Sequence, residues 1–258
     1  MELLIPSTFA ADERDMKARA VKYGLLARTA SIFGVEKIVI YEDFDEKLNT
    51  ERSAEIMEKY LNYAEVPPYL RKDLIPFDRD LKYANIMPAL QTESHGYSDK
   101  FREAVVEKVE NGKATLKAGL KNKLTMYGDY EKGERVTVKV IGVDEAQPIS
   151  KEDIPKYWTY EVENRREGLG TLLEENDKPV IVTSAHGDDY REASIDQKTV
   201  ENSKIVFGSA WRGIPSMLER GDLEEKHFDH IVNTVPEQNT KTVRTEEALF
   251  ISFSRLMV

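Results

Sequence analysis

Apolar positions along the chain follow two rhythms, and the change between them divides the sequence. Met16, Ala20, Tyr23, Ala27 and Ala30 recur every three or four residues, as one buried helix face requires. Asp12 and Asp15 precede that run as a capping pair, and Gly34 stands where a helix C-terminal glycine is expected. Two short apolar runs flank the helix, Leu3 to Pro6 and Val35 to Tyr41, and both read as buried strands. Helical spacing returns at Ile56, Tyr60, Leu61 and Ala64 and stops at Pro67 and Pro68. This alternation predicts an α/β fold with an open, mostly parallel sheet.

From about Ser94 the rhythm shortens. Phe101 to Val109, Lys113 to Ala118, Leu124 to Tyr127 and Arg135 to Val143 read as strands separated by glycine turns, with Asn111-Gly112 the clearest hairpin signal. Residues 93–164 are therefore expected to form a small inserted all-β barrel of the OB type. Residues 1–92 and 165–258 then make one discontinuous α/β domain, whose later strands are Val180 to Thr183, Lys204 to Phe207 and His230 to Asn233.

Composition narrows the chemistry. The 258 residues include no cysteine, so a thiol nucleophile, a zinc-thiolate site and Cys-dependent C5 methylation of a pyrimidine are all excluded. No apolar run approaches the roughly 18 residues of a membrane span, and the N-terminal stretch lacks the pattern of a secretory signal, so a cytoplasmic protein is expected. A net charge of -10 confines any nucleic-acid site to a local basic patch. Lys113, Lys117, Lys121 and Lys123 supply one in a stretch without acids, and Arg135 is placed with them as RNA-binding. Tyr127 and Tyr130 are candidate stacking surfaces or barrel core. The pairs His186/Asp189 and His227/His230 lack the spacing of a helical zinc site, and no metal is expected.

Ligands of open α/β sheets gather at the carboxyl ends of strands. Here three loops leave such ends: Ser184-Ala-His-Gly187, Gly208-Ser-Ala-Trp-Arg-Gly213 and Thr234 through Thr245. Each is rich in Gly, Ser, Thr or Asn, which permit close backbone approach and short hydrogen bonds to a polar ligand. Trp211 either covers such a ligand or anchors its own loop, and Glu246 and Glu247 belong to the first turn of the last helix.

These stretches carry a resemblance. Gly24 through Arg28-Thr-Ala to Phe33-Gly34-Val35, Phe207-Gly208-Ser209 through Gly213-Ile214-Pro215, and Asn233-Thr-Val-Pro236 through Thr242-Val-Arg-Thr-Glu-Glu-Ala248 resemble the three ordered motifs of SPOUT RNA methyltransferases. Pro67-Pro-Tyr-Leu-Arg-Lys72 is similar to a stretch of the archaeal and eukaryotic subfamily with an OB-like insert. The resemblance covers nearly the whole chain. It implies a C-terminal trefoil knot, a homodimer with substrate entering near its interface, and S-adenosylmethionine held by the three loops. The implied cofactor residues are Thr183, Ser184, Gly187, Phe207, Gly208, Ser209, Gly213, Val232, Asn233, Val235, Thr240, Thr242, Val243 and Thr245. Arg28 matches the first-motif arginine and is the expected catalytic residue.

Two departures bear on the reaction. Thr242-Val-Arg-Thr245 replaces the usual Ser-Leu-Asn run of the third motif, and Ala210 or Trp211 stands where the second motif often has Glu. Base methylation, with a pyrimidine N3 favoured, is therefore expected over ribose methylation, with ribosomal RNA as substrate. The alternative is a non-catalytic RNA-binding or ribosome-assembly factor that keeps the knotted fold. A doubly wound nucleotide-binding enzyme would need an early glycine fingerprint that Gly24 and Gly34 do not form.

Overall fold

A computed structural model of the chain describes residues 1–174, 177–209, 213–219 and 223–257. In chain order, its first elements are β1 (Glu2–Pro6), α1 (Met16–Ile32), β2 (Lys37–Glu42), α2 (Thr50–Glu65) and α3 (Arg71–Leu74). There follow β3 (Phe101–Glu110), β4 (Lys113–Lys117), β5 (Leu124–Tyr127), β6 (Arg135–Val140) and β7 (Ala146–Pro148). The last are β8 (Glu161–Gly168), α4 (Leu169–Glu174), β9 (Val180–Asp189), α5 (Gln197–Glu201), β10 (Lys204–Phe207), α6 (Ile214–Glu219), β11 (His230–Asn233) and α7 (Thr245–Leu256). They divide between two compact units, one of 1–62, 83–88 and 160–258 and one of 63–82 and 89–159. None of the described helices is long and apolar enough to cross a membrane.

The first unit is built on a six-stranded sheet in the order β11-β9-β10-β1-β2-β8, with every pairing parallel. Its inner strands are apolar without alternation, as strands covered on both faces must be. Leu3 to Ile5, Ile38 to Tyr41, Val180 to Val182 and Ile205 to Phe207 are all buried. On one face Leu4, Val39, Val182 and Val206 pack with Leu169 and Leu173 of α4 and with Ile214 and Met217 of α6. Each such side chain contributes about 1.5–3 kcal/mol on leaving water.

Helix α1 buries Ala20, Tyr23, Ala27 and Ala30, the face its spacing predicts. Its cap differs from the expectation. Asp15, not Asp12, is the N-cap, and its carboxylate accepts from the Lys17 and Ala18 amides at 2.9 Å each. Asp12 instead accepts from the buried ammonium of Lys22, which also meets Glu13 and, on α7, Glu246 at 3.1 Å. Burial would lower the Lys22 pKa, but these carboxylates raise it above the usual lysine value. The helix ends at Gly34, whose φ of +71° is the left-handed conformation that glycine adopts without strain.

The second unit holds an antiparallel sheet in the order β5-β4-β3-β6-β7. Its edges approach one another: Thr125 on β5 bridges to Glu145, and its amide donates to the Asp144 carbonyl at 2.7 Å. The sheet is thus nearly closed around Ala104, Val106, Leu116, Leu124, Met126 and Val138. Asn111 and Gly112, at φ +51° and +73°, make the predicted turn between β3 and β4.

Two strands had no signal in the sequence. The three-residue β7 is too short to alternate, and β8 carries charges almost throughout. Strand β8 lies at the edge of the parallel sheet, where charge guards an open row of backbone groups. Glu161 to Asn164, read with the insert, pair there with Lys37 to Ile40 of β2.

Candidate functional site

Strands β11, β9 and β10 are neighbours, so their three carboxyl-end loops converge on one side of the sheet. Between them lies a cleft of about 530 Å³, a volume suited to a small-molecule ligand. Thr183, Ser184 and His186 line it from β9. Phe207, Gly208, Ser209 and Gly213 come from the loop after β10, and Asn233, Val235, Thr242, Val243 and Thr245 from β11 and the segment leading into α7. Apart from Glu219, Lys241 and the His186 imidazole, these side chains carry no charge, which suits a polar ligand of little net charge.

Local chemistry holds the loops in place. A register shift between Ile231 and Val232 takes Thr183 through Gly187 out of step with β11, so that β9 arches at the mouth of the cleft. Gly187 closes this arch, because a Cβ there would come within 2.6 Å of the Ile231 carbonyl oxygen. Asn233 then spans two loops: its amide nitrogen donates to the Ala185 carbonyl at 3.0 Å and its carbonyl accepts from the Val235 amide at 2.9 Å. The Thr183 hydroxyl donates to the Val206 carbonyl at 3.1 Å, joining β9 to β10. Helix α7 fixes the last loop through Thr234 and Ser252, whose buried hydroxyls meet at 2.7 Å, and through Arg255, which donates to the Thr234 carbonyl. At Gly208 a Cβ would stand 3.1 Å from the Gly213 Cα, so two glycines let the chain fold back on itself beside the cleft.

Most residues that the resemblance assigned to the cofactor are brought together here; Gly187, Val232 and Thr240 are not among the lining residues. Gly187 and Val232 belong to the β9–β11 contact just described, and the Thr240 hydroxyl donates to the Thr242 carbonyl at 3.0 Å. Ala210 and Trp211 lie outside the described residues. Glu219, Gln238, Lys241, Pro215 and Ser216 also line the cleft and were not assigned to the cofactor, although Pro215 ends the second motif and Gln238 and Lys241 lie in the third loop. Glu246 and Glu247 occupy the first turn of α7 as expected, and Glu247 accepts from the Arg244 amide at 3.0 Å.

Arg28 is half-buried on α1 and is not among the residues lining this cleft. Val21, Leu25 and Ile32 of the same helix are exposed at 40%, 43% and 51%, and the intervals 21, 25, 28, 32 put Arg28 in their stripe. Phe250 of α7, half-exposed, meets Phe33 edge-on with ring centroids 5.6 Å apart.

On the antiparallel sheet Lys113, Lys121 and Lys123 are exposed, and the Lys113 ammonium lies 5.8 Å from the centroid of the exposed Tyr127 ring. Lys117 pairs with Asp73 at 2.7 Å, and Lys123 with Glu107. Tyr130 packs against the barrel core. Arg135 stands apart from the lysines: it donates to both oxygens of Glu65 at 2.7 Å and to Glu103 at 2.6 Å. Glu103 is fully buried and accepts further from Thr137 at 2.7 Å and Trp158 at 2.6 Å. Burial alone would raise the Glu103 pKa, but the Arg135 charge and these hydrogen bonds hold it below the usual carboxylate value.

A parallel α/β sheet with a cleft at adjacent strand ends and a separate nearly closed β-sheet make this a two-unit protein of α/β and all-β parts. Comparison with known proteins makes this specific. The chain matches the model of a family described as putative RNA methyltransferases over residues 1–256, and it belongs to that family. It is 28% identical to an uncharacterized protein of Halobacterium salinarum, over 98% of this chain and 97% of that one. It is 27% identical to a 28S rRNA (uridine-N(3))-methyltransferase of Drosophila melanogaster, over 99% of this chain and 61% of the relative. With the human protein of the same name the identity is 25%, over 99% and 77%.

Proposed function

We propose that this protein transfers the methyl group of S-adenosylmethionine to N3 of a uridine in ribosomal RNA. The observation that carries the reading is the union, in one cleft, of three strand-end loops, two of which bear the second and third motifs of the resemblance. The names of the Drosophila and human relatives support the base and the atom. The absence of cysteine agrees, because N3 attacks directly once deprotonated, whereas C5 needs a covalent thiol adduct.

The cleft fits the cofactor in size and chemistry. Gly208 and Gly213 allow close backbone approach, Asn233 and Thr183 fix the neighbouring loops, and Thr242 and Thr245 bring short hydroxyl side chains. When bound, S-adenosylmethionine supplies an electrophilic methyl; the chain's own groups orient it and keep water out. The bound cofactor would supply its methyl to N3 and leave as S-adenosylhomocysteine, and the N3 proton would pass to solvent or a nearby base. Arg28 orients the uracil and stabilises negative charge on the deprotonated base.

The wider reading is a SPOUT methyltransferase, with a trefoil knot around the three loops, an OB-like insert that ends before β8 and a homodimer. The exposed Val21, Leu25 and Ile32, with Phe250, give α1 and α7 an apolar face suited to a second copy of the chain. Arg28 lies in that stripe, so in the dimer it serves the partner's cleft. Lys113, Lys117, Lys121 and Lys123 hold RNA phosphates.

Calorimetric titration with S-adenosylmethionine and S-adenosylhomocysteine tests the proposal. Micromolar binding followed by formation of 3-methyluridine in ribosomal RNA is the expected result. No binding to the folded protein would overturn it in favour of the non-catalytic assembly factor.

A further inference from the structure

A second groove, of about 680 Å³, lies wholly within the second unit and belongs to none of the sites above. Its wall is the segment from Tyr63 to Lys82, which includes the end of the Pro67-Pro-Tyr-Leu-Arg-Lys72 motif. Four cations line it, Arg71, Lys72, Arg79 and Lys82, against a single carboxylate, Asp78. In a chain of net charge -10 this is a local reversal of sign. The reversal is arranged rather than incidental. Of the segment's other acids, Glu65, Asp73 and Asp80, none lines the groove; Asp73 pairs with Lys117 and Glu65 with Arg135, each at 2.7 Å.

The groove also carries aromatic surface. Phe77 is 93% exposed, so its ring presents an open face at a standing cost in apolar hydration. The Arg71 guanidinium carbon lies over the Tyr63 ring, 4.4 Å from its centroid, and its Nε donates to the Val66 carbonyl at 3.0 Å. That stacked pair is held in place before any ligand arrives. Ile75, Pro76 and Leu81 complete an apolar floor.

We infer that this groove is a second RNA site, which takes a single-stranded segment by stacking one base on Phe77 and seating its phosphates on Lys72, Arg79 and Lys82. Cations along a groove with an open aromatic face are what single-stranded nucleic acid requires: charge for the backbone, and a ring for any base. The site reads flexibility rather than sequence, since its lining offers no pair of fixed donors and acceptors for a base edge. The inference rests on the proposed RNA substrate and names a further contact with it.

Fluorescence anisotropy with a labelled twelve-residue oligouridylate tests the groove on the full chain. Phe77→Ala should weaken binding by about five- to twentyfold, and Phe77→Trp should restore it. The pair Lys72→Glu and Arg79→Glu should weaken binding further and reduce the slope of log affinity against log salt by about 1.4. Titration with S-adenosylhomocysteine, whose cleft lies in the other unit, accompanies each variant as the measure of an intact fold. Unchanged oligouridylate affinity in both variants overturns the groove while leaving the methyltransferase reading intact. Loss of S-adenosylhomocysteine binding in the unaltered protein overturns that reading, and the groove is still judged by the anisotropy series. Should Phe77→Ala leave RNA affinity unchanged but abolish capture of a protein, the surface is a protein-docking site and the inference fails.

Discussion

The buried Tyr41 hydroxyl donates to the Phe207 carbonyl across 2.8 Å, reaching from β2 over the intervening β1 to the end of β10. Burial holds the phenol well above its usual pKa, so it remains a donor at any working pH. Phe207 opens the loop that carries Gly208 and Gly213, so this bond fixes the cleft's second wall from the opposite side of the sheet centre.

Tyr41→Phe should therefore weaken S-adenosylhomocysteine binding without abolishing it. Losing one buried donor leaves the Phe207 carbonyl unsatisfied at a cost of about 1 kcal/mol, or roughly fivefold in affinity if the loop shifts to recover a partner. Calorimetry on the variant decides it. An unchanged affinity would mean that Tyr41 supports only the core.

Gly208→Val should be more severe. Its Cβ alone would stand 3.1 Å from the Gly213 Cα and 3.2 Å from the Ile214 amide nitrogen, and valine adds two methyl groups beyond that. Overpacking of this kind costs about 1–3 kcal/mol, which should appear as about a five- to 150-fold loss of S-adenosylhomocysteine affinity. A variant that binds normally would remove the loop from the cofactor's surroundings.

What the sequence made legible was whatever repeats at a fixed interval or turns on a special residue. The buried face of α1, the Asn111-Gly112 hairpin and the strands Lys204–Phe207 and His230–Asn233 all announced themselves. Strand β8 did not, because an edge strand made of Glu, Asn and Arg has no apolar alternation to read. Asp12 and Asp15 are both acids before a helix, and only the position of Lys22 in space shows which one caps it. In the cleft, motif residues were found and long polar side chains were not. Nothing local distinguishes Gln238 or Lys241 from a surface residue until β11 and α7 bring them beside β9.

The buried carboxylate of Glu103 gives the second unit an acid limit. Its folded pKa lies below the ordinary value, so its contribution to stability is present above about pH 4.5 and is lost as pH falls through the folded value. Protection factors of β3 and β6 amides, corrected for the intrinsic pH dependence of exchange, should therefore fall steeply on acidification. In Glu103→Gln that dependence should flatten, while exchange at neutral pH rises because Arg135 loses a buried partner, a loss worth about 3 kcal/mol. An equally steep acid limb in the variant would assign it to other groups.

The position of Arg28 outside the cleft lining of its own chain makes a trans arrangement testable by mixing two inactive proteins. Arg28→Ala should keep cofactor binding and lose transfer; Gly208→Val should keep Arg28 and, assayed at S-adenosylmethionine well below its weakened affinity, leave its own cleft empty. In a mixed dimer, the intact cleft of the Arg28→Ala chain faces the intact Arg28 of the Gly208→Val chain. One of the two sites is then complete, whereas the other lacks both functions. With random association half the dimers are mixed and each has one working site, so methyl transfer should return to about a quarter of the unaltered level. Leu25→Glu introduced into both chains places charge in the exposed stripe of α1 and should abolish this recovery along with the dimer, as light scattering would record. If Arg28 acted within its own chain, no site in the mixture would be complete, and the mixed sample would stay as inactive as its parents.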